Sequence, residues 1–231
     1  MEKVRPNQDR AKAAVILIYV VMGIELIDLG SDFLQLQLLW RFQSGVNVTT
    51  SEAQMNDIRV TAIALIYMAA YIVSAVMFIR WFRRAYFNLH LVAKRLTYTE
   101  GWAAGSWFVP FINLFRPYQI MKELYEETEI VLAKRNLTPR VVLPGTMVGV
   151  WWTLWIINNV AGQIIFRSSR EANTLGEMIF DTQMGMFANF ISIPLALVTI
   201  KVIRDYAKVE HLITLPEEDK LTLSDAEDLL D

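Results

Sequence analysis

Apolar positions in this chain fall into long unbroken runs, not into the short alternations of a water-soluble fold. Residues 60–79, 141–166 and 182–200 contain no Asp, Glu, Lys or Arg. Each run approaches the roughly 20 apolar residues that a helix needs to cross a hydrocarbon core. A fourth run, residues 13–29, carries Glu25 and Asp28 near its end. The pattern predicts an all-α polytopic membrane protein with four transmembrane helices at about 13–29, 60–79, 141–166 and 182–200. Residues 1–214 form a single membrane domain in this reading, with an inner connection over 80–140.

Polar positions divide the rest. After Gly30, Phe33, Leu34, Leu36, Leu38, Leu39, Trp40 and Phe42 alternate with Gln35, Gln37 and Arg41, which predicts a separate amphipathic segment in the outer interface, capped by Ser31. Asn47-Val48-Thr49 has the form of a glycosylation acceptor, which reads as a plain loop if the source is bacterial, and Ser51 or Thr50 caps the second span. That helix is expected to overshoot the membrane as far as His90, with Arg80, Arg84 and Asn88 on one face at i, i+4 spacing.

Within the inner connection, Gly101 to Phe115 is uncharged and aromatic but too short to cross, so it predicts a re-entrant or interfacial element. Pro110 and Pro117 interrupt the backbone pattern. A separate helix is expected after Arg116. Its apolar face is Ile120, Met121, Leu124, Thr128, Val131 and Leu132, with Glu123, Glu126 and Glu127 turned away. Pro139 and Arg140 open the third span, Pro144-Gly145 loosens its early turns, and Trp151, Trp152 and Trp155 cluster on it. Pro194 lies in the fourth. Residues 215–231 hold seven acids against Lys220 and read as a disordered cytoplasmic tail.

Composition agrees with this picture: the chain is 54% hydrophobic and 20% charged, against about 45 to 50% and about 25% for a soluble domain. The net charge of −2 matters less than its distribution. Residues 1–12, 80–140 and 201–231 hold 18 of the 22 Lys and Arg, and basic residues are retained on the cytoplasmic side. Both termini are therefore expected inside. The basic N-terminus followed by an apolar run resembles a secretion signal, but no small-residue cleavage site follows, so a retained span is expected. Cysteine is absent, which excludes disulfides, thiol nucleophiles and thiolate metal sites.

Two motifs resemble a known family. Arg-Ala-x-x-Asn after a span (Arg84, Ala85 and Asn88, with Trp81 before it) precedes Trp-Phe-Val-Pro-x-x-Asn-Leu-x-Arg-Pro-Tyr, which is Trp107 to Tyr118. Together they resemble a bacterial membrane-protein family catalogued as domain of unknown function 4328. The resemblance covers the second span to the fourth. It implies a multipass protein of the bacterial cytoplasmic membrane and carries over no activity.

Arg80, Arg83, Arg84, Asn88, Asn113, Arg116 and Tyr118 are expected to converge at the inner surface, with Trp107, Pro110 and Pro117 close by. Guanidinium groups grip phosphate through paired hydrogen bonds, so this face suits a lipid headgroup or an anionic ligand. The simpler alternative is positive-inside anchoring, with Asn113 and Arg116 tied to loop carbonyls. Glu25 and Asp28 are expected to pair with Arg59 and Arg167 at the outer end. The alternative is a polar path with Asn159, Gln163 and Asn189. Enzyme chemistry lacks its residues: His90 and His211 are the only histidines, and neither belongs to a zinc motif, while no nucleophile elbow or phosphate loop occurs. No cofactor, metal or nucleic-acid partner is expected. Membrane lipids and a protein partner or second copy are. The function this supports is a non-enzymatic assembly or modulatory subunit; a small transporter and a lipid-headgroup binder are the alternatives.

Overall fold

The computed structural model of the chain describes residues 4–137, 141–171 and 174–214. Pro139, Arg140 and the acidic tail lie outside the described residues. Among the described residues, helices and turns make up the fold and no strand occurs. The helices are α1 (Gln8–Gln43), α2 (Thr50–Val92), the single turn α3 (Trp102–Gly105), α4 (Arg116–Lys134), α5 (Gly145–Glu171) and α6 (Leu175–Thr214), with a 3-10 turn at Ile112–Leu114. Three of them, α1, α2 and α6, are long and apolar enough to cross a membrane. The third predicted run is also helical, as α5.

Local chemistry sets the ends. Thr49 forms a reciprocal cap with Glu52: the Glu52 amide donates to Thr49 Oγ1 at 3.2 Å and the Thr49 amide to Glu52 Oε2 at 2.9 Å. The cap therefore lies one residue before the expected Thr50 or Ser51. Thr174 and Glu177 repeat the arrangement at α6, since a threonine followed three residues later by glutamate satisfies two orphan amides at once. Pro117 sits in the first turn of α4, where a missing amide costs nothing. The far end of α4 closes with Asn136 in the left-handed region at φ 54°, and the Leu137 amide returns to Leu132 O at 3.0 Å.

The expected break at Gly30-Ser31 does not occur, because α1 runs through it. A mid-helix glycine costs only about 1 kcal/mol. Ser31 is not a cap: its hydroxyl accepts from Arg59 Nε at 3.1 Å. At α5 the Pro144-Gly145 pair likewise stands at the helix start, where the Met147 amide donates to Pro144 O at 2.9 Å.

By packing, the chain divides into two compact units. The first comprises Met1–Ala11, Phe78–Val148 and Val202–Asp231. Its core is aromatic: Trp81, Phe82, Tyr86, Tyr125 and Tyr206 are buried together with Ile120, Met121, Leu124 and Leu132. The Tyr206 ring lies 6.1 Å from Trp81 and 6.1 Å from Tyr125. The Tyr125 hydroxyl donates to Val202 O at 2.9 Å; burial, helped by Asp205, pushes its pKa up and keeps it a donor. Every residue of the predicted apolar face of α4 is buried, and Pro117 and Tyr125, outside that expectation, are buried with it. Glu123 is the exception to the acidic outer face, because its carboxylate accepts from the Tyr86 hydroxyl and from the Thr97 amide.

The second unit comprises Lys12–Met77 and Gly149–Lys201. Ala14, Val15, Ile18, Val21, Trp151, Trp152, Ala161, Ala196 and Ile200 are buried there, and Trp152 stacks on Trp155 at 4.5 Å. The α2 side chains Leu65, Ile66, Met68 and Ile72 are exposed, as suits a surface facing hydrocarbon.

Candidate functional site

The site in the first unit begins with one asparagine. Asn88, on the last turns of α2, is 1% exposed and grips the main chain of Arg5. Its Oδ1 accepts from the Arg5 amide at 3.1 Å and its Nδ2 donates to the Arg5 carbonyl at 2.9 Å. The same Nδ2 donates to Glu210 Oε1 at 2.8 Å. Asn7 completes the knot by donating to Glu210 Oε2 at 3.0 Å and to Trp81 O at 3.3 Å. A buried carboxylate needs such donors, because desolvation otherwise costs several kcal/mol. Asn7, Asn88 and Glu210 thus fasten the N-terminal segment onto α2.

Fastening brings Arg5 and Arg10 to the arginines of α2. Arg5, Arg10, Arg80, Arg83, Arg84, Phe87 and Glu100 line one cavity of about 380 Å³. Phe87 is its platform: the Arg5 guanidinium lies 4.7 Å and that of Arg84 5.6 Å from the ring centroid. Glu100 supplies the single carboxylate, 2.9 Å from Arg83. Arg10 also donates to Pro6 O at 3.3 Å. Among the described residues that line it, five guanidinium groups stand against one carboxylate.

Arg116 has a different setting. Its guanidinium lies over the rings of Tyr98, Trp102 and Phe115 at 4.4, 5.6 and 5.8 Å, so it is held by rings and does not line the arginine cavity. Trp107 meets Phe78 edge to face at 5.7 Å. The Asn113 amide turns back to Val109 O at 3.0 Å, and Tyr118 is half-buried on α4. Between Pro110 and the 3-10 turn, Phe111 adopts φ 64° and is 80% exposed beside Phe108 at 75%. Of the residues expected to converge, Arg80, Arg83 and Arg84 share the cleft, Asn88 builds it from behind, and the Trp107 to Tyr118 motif forms a neighbouring aromatic loop. Arg5 and Arg10 were not legible as site residues, since four basic residues before a span read as a cytoplasmic flank.

In the second unit, Asn189 donates to Asp28 at 2.9 Å and Tyr67 to Glu25 at 3.4 Å. Arg59, the expected partner of these acids, instead donates to Ser31 and Asn56. An amide and a phenol on neighbouring helices reach the carboxylates without leaving the interior. Asn159 donates to Trp155 O of its own helix at 2.9 Å. With Gln163, Asn158, Tyr67 and Tyr71 it lines an open groove of about 600 Å³. Among the described residues, no group of His, Asp and Glu is placed to hold a metal ion.

Comparison with known proteins adds one relationship. No curated protein and no solved structure matches the chain. The family model described as "Domain of unknown function (DUF4328)" matches residues 44–208, a stretch that contains the α2 arginines, Asn88 and the whole Trp107 to Tyr118 motif. With most of its length inside that match, the chain belongs to the DUF4328 family.

Proposed function

We propose that this is a four-span protein of the bacterial cytoplasmic membrane, with both termini cytoplasmic, whose role is recognition and assembly rather than catalysis. The arginine cleft is its recognition face. The observation that carries this reading is the cleft itself: two chain segments are fastened together through buried amides so that five guanidiniums share one cavity. Positive-inside anchoring needs charge but not such fixation. For the fourth span, α5 has 27 residues, about 40 Å at 1.5 Å per residue, against a hydrocarbon core of about 30 Å. The aromatic loop around Phe108 and Phe111 suits the cytoplasmic headgroup level. A transport role has less support, because Glu25 and Asp28 are each tied to a neighbouring side chain.

Native mass spectrometry of the detergent-extracted protein tests the reading. A stoichiometric bound partner or ligand is expected on the wild-type chain and is expected to be lost in Arg84→Glu. A bare wild-type chain, or a bound species indifferent to Arg84→Glu, would overturn it.

A further inference from the structure

Charge and shape together narrow what the cleft can hold. A monocarboxylate would neutralise one guanidinium, and Glu100 already occupies Arg83 at 2.9 Å. Arg5, Arg10, Arg80 and Arg84 line the same 380 Å³ cavity. Several like charges in one small cavity repel each other, and an occupant bearing two negative charges and three acceptor oxygens relieves that repulsion best. The planar fork of arginine matches phosphate oxygens in pairs. The floor of the cavity is fixed: Phe87 lies against Arg5 and Arg84, and the Arg5 main chain is held at both its amide and its carbonyl by Asn88. Preorganisation of this kind removes part of the ordering cost of binding. Among the described lining residues Glu100 is the one carboxylate, which disfavours cations.

We propose that the cleft formed by Arg5, Arg10, Arg80 and Arg84 over Phe87 is a binding site for a phosphate dianion, either the monoester of a lipid headgroup or free phosphate. This rests on the recognition reading above and names its ligand. The Arg116 cage is outside the site, and that supplies an internal control: Arg116 is a nearby cation of the same unit, held by Tyr98, Trp102 and Phe115.

The full chain in neutral detergent can be titrated by calorimetry with inorganic phosphate, short-chain phosphatidic acid, short-chain phosphatidylcholine and acetate. Saturable binding is expected for phosphatidic acid, with acetate and phosphatidylcholine at least tenfold weaker. Equal affinity for inorganic phosphate identifies a free anion as the ligand chemistry; preference for phosphatidic acid identifies a headgroup. Arg84→Gln is expected to weaken the binding tenfold or more, Arg84→Lys to weaken it less, and Arg116→Gln to leave it within twofold. Arg10→Gln repeats the comparison if Arg84→Gln fails to fold. The proposal is overturned if neither phosphate probe binds, if acetate binds equally well, or if Arg116→Gln weakens binding as much as Arg84→Gln. An Arg84-dependent adduct in native mass spectrometry that contains no phosphate would overturn the ligand while leaving the recognition reading intact.

Discussion

Asn88 carries more of the structure than any other polar side chain described here. It uses both ends of its amide on the Arg5 main chain and shares a donor with Glu210, so truncating it strands a backbone pair and leaves the buried Glu210 carboxylate to the Asn7 amide. Asn88→Ala is expected to destabilise the first unit by about 2 to 4 kcal/mol, read as a lower thermal midpoint in detergent, and to weaken phosphate binding through the loosened Arg5. Asn113→Ala, whose site is held by a backbone bond to Val109, is expected to change stability by less than about 0.5 kcal/mol. Equal losses in the two variants would refute this role for Asn88. The polar, helix-face position of Asn88 was legible in the sequence. Its partner was not, because Arg5 lies 83 residues away and a backbone acceptor leaves no trace in residue type.

Among elements, α4 was the most legible, since one apolar stripe at helical spacing has only one way to be buried. The overshoot of α2 to Val92 was legible for the same reason, as no proline or cap interrupts Arg80 to His90. The single long α1 was not: Gly30-Ser31 has the residues of a boundary, and only the position of Arg59 makes Ser31 an acceptor inside a helix. The loop before α4 holds a second surprise, a phenylalanine at φ 64° with its ring 80% exposed. A side chain in the left-handed region costs roughly 1 to 2 kcal/mol. Phe111→Gly is therefore expected to raise the thermal midpoint in detergent, where the exposed ring has little packing to lose. A fall would mean that the ring is covered in solution.

At the scale of the whole molecule, hydrophobic runs made the membrane class legible and the two motifs the family, whereas side-chain partnerships depended on segments that meet only after folding. Topology can be tested cleanly because the chain has no cysteine. In intact cells, Ser44→Cys and Gly176→Cys are expected to react with a membrane-impermeant maleimide, and Lys94→Cys only after lysis. Labelling of Lys94→Cys from outside would reverse the orientation, and protection of Gly176→Cys would remove α5 from the membrane. One detail of the cleft has a consequence for how such a protein can diversify. Asn88 holds position 5 through its main chain, so that grip does not depend on which side chain stands there. Charge at the cleft wall and integrity of the scaffold are thereby separable traits, and ligand preference could drift among descendants by changes at position 5 while the fold stays under undiminished constraint.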